Sequence, residues 1–81
     1  MKLKDYRKKA KELGGKVSMR TSHNPFTWDP EQWLHVITDK GVNISNANVW
    51  GKDFYEANKR FFDLEQEMKD DPELKAEGYR I

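Results

Sequence analysis

The sequence predicts a small α+β domain of order αβββα, in which a three-stranded antiparallel sheet is packed by an N-terminal helix and a long C-terminal helix. Three observations predict this class: a helical apolar stripe opens the chain, alternating residues follow it, and a longer helical stripe comes later. At 81 residues the chain can build one core but not two. We therefore expect residues 1–81 to form a single compact domain.

The first helix is predicted by apolar residues spaced 3, 4 and 3 apart, which places them on one helical face. A glycine pair then supplies the stop that is common at a helix C-terminus. We expect this helix over residues 2–13. The residues of the stripe are Leu3, Tyr6, Ala10 and Leu13.

The next segment alternates polar and apolar residues over 16–21, as a half-buried strand does, and Val17 and Met19 are predicted to face the core. Residues 22–31 contain two chain-turning runs built around prolines and are predicted to form a long loop.

Residues 32–38 allow two interpretations. A β-branched run ahead of the turn at Thr38 to Gly41 favours a strand, and a returning strand is then expected over 42–48. Alternatively, Asp29 and Pro30 have the residue types of a helix start, which would make residues 30–40 helical and the domain mostly α. The strand is the favoured interpretation.

The last long element carries an apolar stripe over five turns and predicts a helix over 52–69. Its residues are Trp50, Phe54, Ala57, Phe61, Leu64 and Met68. A second Asp-Pro-Glu run at Asp71 then ends this helix, so residues 70–81 are predicted to form a short helix and a tail that docks back through Leu74, Tyr79 and Ile81.

The net charge of +1 conceals a gradient along the chain. Residues 1–20 carry a net charge of +6, residues 21–51 carry −2, and residues 52–81 carry −3. One basic and one acidic pole can orient a small domain against a charged partner.

Enzymatic chemistry finds little support in the composition. The chain has no cysteine, and His23 and His35 lie twelve residues apart without a metal-ligand pattern. No carboxylate pair or nucleophile stands in a desolvated setting, so we expect no catalytic, metal or cofactor site. The absence of a long apolar run and of a signal-like start leads us to expect a cytoplasmic protein without a membrane partner.

Nucleic-acid binding is one functional interpretation. An αβββα order with a basic first helix resembles the double-stranded-RNA-binding fold, in which residues 22–25 would occupy the place of the minor-groove loop. The sequence departs from that family at the last helix, where acids Asp53 and Glu56 stand in place of a phosphate-gripping lysine cluster. The candidate nucleic-acid-binding residues are Lys4, Lys8, Lys11, Lys16 and Arg20.

Protein binding is the favoured interpretation. Phe26 and Trp28 lie in the predicted loop, and Arg20 and His23 flank them, which are residue types that anchor protein interfaces. In size, charge separation and layout the chain also resembles small phage-encoded inhibitors of host machinery, among them anti-CRISPR proteins. We therefore expect a binding module for a larger protein or protein–nucleic-acid complex. Self-association into a homo-oligomer stays open, as does a core position for Trp28.

Overall fold

Eight elements follow one another along the computed structural model, which describes residues 1–46 and 51–81. They are α1 (Leu3–Glu12), β1 (Lys16–His23), β2 (Pro30–Ile37), a 3-10 helix (Ile44–Asn46), α2 (Lys52–Ala57), α3 (Lys59–Asp70), α4 (Pro72–Ala76) and β3 (Tyr79–Arg80). The predicted α+β class is confirmed, with its N-terminal helix and its long C-terminal helix.

The sheet has the strand order β1-β2-β3 and is mixed. β1 and β2 form an antiparallel hairpin in which Lys16 pairs with Ile37 at one end and His23 with Pro30 at the other. β3 adds two residues parallel to β2. The strand interpretation of residues 32–38 is therefore correct for the part within β2, and the predicted loop 22–31 is shorter, spanning residues 24–29 between the strands.

The core lies on one face of the hairpin, because side chains alternate between the two faces of a strand. Val17 of β1 and Leu34 and Val36 of β2 are buried there. Helices α1, α3 and α4 cover this face with the buried side chains of Tyr6, Ala10, Phe61, Leu64, Met68 and Leu74.

Asp71 links the two ends of the described chain across this core. Its carboxylate accepts hydrogen bonds from the Met1 amino group at 2.7 Å and from the buried Tyr6 hydroxyl. It also accepts the Glu73 backbone N–H at 2.8 Å, which caps α4 as the Asp-Pro-Glu run predicts. The Met1 amino group and the Tyr6 hydroxyl hold the pKa of Asp71 well below its usual value.

The expected third strand over 42–48 is wrong for the part that the structure describes, residues 42–46. Asn43 makes only an isolated bridge to Ile37, and the chain then enters the 3-10 helix. The Asn43 side chain accepts the Ser45 N–H at 2.9 Å, a local hydrogen bond that turns the backbone away from a ladder. Residues 47 and 48 lie outside the described part.

The predicted continuous helix over 52–69 is two helices. Asn58, at φ −117° and ψ 19°, separates α2 from α3, and its side chain donates to the Phe54 carbonyl at 3.0 Å. Asparagine competes for backbone partners in this way and so favours helix ends. Trp50, the first residue of the predicted stripe, lies outside the described residues.

Candidate functional site

The outer part of the β1–β2 hairpin extends beyond the helices that cover its base. We call residues 19–33 the arm: none of them is buried, whereas Val17 and Leu34, the cross-strand partner of Met19, are. At about 3.3 Å per residue, the part of β1 from residue 19 to residue 23 spans roughly 13 Å. Met19 is 43% exposed, so its predicted core position is wrong: it lies on the predicted face, opposite the buried Leu34, but the described residues leave its side chain uncovered.

The turn at the tip of the arm, residues 24–29, is tied by short-range hydrogen bonds. Asn24 donates its backbone N–H to the Asp29 carbonyl at 2.9 Å and accepts the Trp28 N–H at 2.7 Å. Its side-chain oxygen also accepts the Phe26 N–H at 2.9 Å, a local hydrogen bond characteristic of asparagine in turns. One asparagine thus organises the tip.

Two large aromatic side chains project from this turn. Phe26 is 92% exposed and Trp28 is 76% exposed. Trp28 has φ +63°, and among the described residues other than glycine it alone has a positive φ. A bulky residue in this conformation is strained, and such strain tends to concentrate at functional positions. The core alternative for Trp28 is therefore wrong.

Glu31 braces the arm from one side. Its carboxylate accepts the Trp33 indole N–H at 3.3 Å and the Asn24 side-chain amide at 3.4 Å, and it lies 3.5 Å from the guanidinium of Arg80. The Arg80 guanidinium in turn lies 5.8 Å from the centre of the Trp33 ring. β3 therefore holds the lower arm against the domain, a support that the sequence analysis missed.

The four predicted protein-binding residues do not form one patch. Phe26 and Trp28 share the tip, and His23 lies just below them, paired with Pro30. Arg20 lies opposite Trp33, on the face away from Val17, whereas His23 is on the other face because strand residues alternate. The aromatic pair, with His23 at its edge, is the compact part of the site.

The five predicted nucleic-acid-binding residues also divide between two surfaces. Lys4, Lys8 and Lys11 are exposed on α1, the helix that packs on the Val17 face. Lys16 and Arg20 are exposed on the opposite face of β1. The set predicted from charge alone is therefore not a single surface.

No helix in residues 1–46 and 51–81 combines the length and apolar character that crossing a bilayer requires. Comparisons with protein-family models, curated proteins and solved structures find no significant match for this chain. Its function must therefore be inferred from its own residues.

Proposed function

We propose that this protein is a non-enzymatic protein-binding module that inserts the tip of its hairpin arm into a surface of a larger cytoplasmic macromolecule. The observation that carries the proposal is the exposure of Phe26 and Trp28 on a turn held by hydrogen bonds. Large exposed aromatics at the end of a projecting element are typical of interface anchors.

Burial of these two side chains in a partner would supply a substantial driving force. Full burial of a side chain the size of Phe contributes roughly 1.5–3 kcal/mol before the costs of association. The bonds within the turn reduce one of those costs, because a preorganised loop loses little conformational freedom on binding. The strained Trp28 backbone is consistent with a side chain held out for a partner.

The charge of the tip favours a protein partner over nucleic acid. Between residues 21 and 30 the only formally charged side chain is Asp29. Protein interfaces are depleted of charge at their centres and enriched in aromatic residues. A phosphate lattice requires cations, and Arg20 and Arg80 both lie below the tip, at strand positions beside Trp33.

Occupation of a partner's surface would by itself block whatever else binds there. A domain of this size with an inserted arm would therefore act as an inhibitor or a regulatory subunit. The small phage-type inhibitors that the chain resembles in size and charge separation suggest host machinery as the partner class.

Photo-crosslinking from the tip tests the proposal. We would replace Phe26 by p-benzoylphenylalanine and irradiate the full chain in nuclease-treated lysate of the cells in which the protein is made. Tyr55, 44% exposed on α2, supplies the matched control position. We expect a discrete cross-linked protein from position 26 but not from position 55. An excess of wild-type chain should compete for it, whereas excess Phe26→Ser/Trp28→Ser chain should not.

Three outcomes would contradict the proposal. Equal cross-linking from both positions would mean that the tip has no privileged contact. Equal competition by the double variant would mean that the aromatic pair is not the anchor. A sole product of two copies of this 9.6 kDa chain would assign the tip to self-association.

A further inference from the structure

Four exposed cations lie in one stripe along the outer side of α1: Lys4, Arg7, Lys8 and Lys11. Their spacing of 3, 1 and 3 residues places them on one side of the helix. The apolar side of the same helix is directed into the core through Tyr6 and Ala10. The stripe spans about 10 Å at a rise of 1.5 Å per residue.

None of the four forms an ion pair with a described residue, although cations elsewhere do. Lys9 of the same helix lies 2.7 Å from Glu67, Lys59 lies 3.1 Å from Asp63, and Lys69 lies 3.1 Å from Glu65. The α3 acids Asp63, Glu65 and Glu67 are therefore paired with cations outside the stripe.

The two acids of α1 do not neutralise the positive charge of the stripe. Asp5 accepts the Lys2 backbone N–H at 3.1 Å at the start of the helix. Glu12 is four residues from Lys8, and no ion pair forms between them. With Glu12 counted, the outer side of α1 still carries +3, from four cations and one acid.

We infer that the outer side of α1 binds the phosphate backbone of nucleic acid without regard to sequence, at a site separate from the arm. Each strand of a duplex presents one phosphate per 3.4 Å of helix axis, so the stripe, aligned with that axis, faces about three phosphates of one strand. Exposed lysines suit this contact, since they act as point charges that do not require a fixed ligand geometry.

The surroundings of the stripe argue against two other anionic partners. An amphipathic helix that binds membranes needs a free apolar face, and that of α1 is buried in the core. A protein interface would bring exposed aromatic or apolar anchors beside the charges, and no large exposed apolar side chain of the described residues lies on α1. Met19, Phe26 and Trp28 belong to the arm, Tyr55 lies on α2, and Met1 precedes α1.

The salt dependence of binding gives the proposal a quantitative form. Each phosphate contact contributes about −0.9 to the slope of log K against log salt concentration for a duplex. Three to four such contacts therefore predict a slope of about −3 to −4. Affinity should be measurable at 50 mM salt and much weaker at 200 mM.

The test measures the fluorescence anisotropy of a fluorescein-labelled 16-base-pair DNA duplex titrated with the full chain from 50 to 200 mM salt. The test variant is Lys8→Glu/Lys11→Glu. The control, Lys40→Glu/Lys75→Glu, makes the same net charge change at exposed lysines that have no ion pair among the described residues. We expect the test variant to bind at least tenfold more weakly at 50 mM, with a slope reduced by about 2. The control should stay within about twofold of wild type.

An equal loss in both double variants would overturn the proposal, because net charge rather than the stripe would then determine binding. A wild-type slope near zero, or no binding at 50 mM salt, would also overturn it. So would tighter binding to phosphatidylserine-containing vesicles or to polyglutamate than to the duplex. Thermal unfolding of each variant verifies that the fold is intact.

The Phe26→Ser/Trp28→Ser variant separates this proposal from the proposed function. It should lose the cross-linked partner and keep duplex binding. A loss of duplex binding in this variant would contradict the assignment of the two activities to separate surfaces.

Discussion

The molecule contains two pairs of aromatic side chains in opposite environments. Tyr6 and Phe61 are 1% and 0% exposed in the core, whereas Phe26 and Trp28 are 92% and 76% exposed at the arm tip. The core pair lies on helical stripes whose spacing matches the helix period, and the tip pair lies in a turn. Position within a periodic pattern, rather than residue type, decides which aromatic stabilises the fold and which is left for a partner.

The largest effect we expect comes from Phe61→Ala. Removal of a fully buried Phe costs about 3–5 kcal/mol through lost burial and the cavity left behind. Phe26→Ala, its control at the tip, should change the free energy of unfolding by no more than about 0.5 kcal/mol. Urea denaturation of both variants measures the difference. Similar losses in the two would mean that the tip packs against the domain and would contradict the distinction between the pairs.

Gly15→Ala should be the next largest effect. A Cβ at Gly15 would overlap the Ile37 carbonyl oxygen and lie 2.6 Å from Cε1 of Phe61. Overpacking of this kind typically costs 1–3 kcal/mol, and here backbone must move, so we expect about 2–3 kcal/mol. Gly51→Ala is the matched control, since its Cβ would meet nothing within 4 Å. Equal stability of the two variants in urea would show that Phe61 is not packed on the α1–β1 connection.

Trp28→Gly should have a smaller effect of the opposite sign. Glycine adopts the left-handed conformation at little cost, whereas an L-residue pays about 1–2 kcal/mol there, so we expect stabilisation by about 1 kcal/mol. The exposed Trp28 side chain gives up little packing in exchange. Phe26→Gly, at a position without a positive φ, should instead be neutral or slightly destabilising. Urea midpoints that move in the same direction for both variants would contradict a strained Trp28.

The elements with local signals were predictable from the sequence. The helical stripe around Tyr6 and Ala10 predicts α1, and the Asp71 cap predicts α4. The β-branched run ahead of the turn at Thr38 to Gly41 predicts β2, in which Leu34 and Val36 are buried with a period of two. In each case the predictive signal lies in residues close in sequence, although packing against other elements buries the apolar side chains.

The wrong predictions have two causes, one long-range and one local. β3 is two residues long, which is too short for a periodic pattern. Its parallel pairing with β2 depends on where the chain leaves α4. Asn43 and Asn58 end elements through side-chain hydrogen bonds that compete with an otherwise regular apolar pattern.

The candidate site was predictable only in part. The turn run identified Phe26 and Trp28 as loop aromatics, but their exposure depends on how far the helices extend over the hairpin. The ion pair between Glu31 and Arg80 joins residues about fifty positions apart, and no local sequence pattern predicts it.

The smallest effect we expect is a pH dependence at His35, on the strand face it shares with Trp33 below the arm. Both of its ring nitrogens are buried, and neither makes a hydrogen bond with a described residue. Burial lowers the pKa of His35 from 6.5, Arg20 lowers it further, and Glu65 partly opposes them. The unfolded chain therefore takes up this proton at a higher pH than the folded chain. Stability should be complete above pH 6.5 and decline as the pH falls below it.

Urea denaturation at pH 7.5 and pH 5.5 measures this loss, and two variants assign it. His35→Phe removes the titrating group and should abolish most of the difference between the two pH values. His23→Gln, at an exposed position near the tip, should retain it. Because Asp71 has a pKa below its usual value, its protonation affects stability only at lower pH. A pH dependence that persists in His35→Phe would show that another group causes it. Protonation of the His35 ring nitrogens would then not destabilise the folded state.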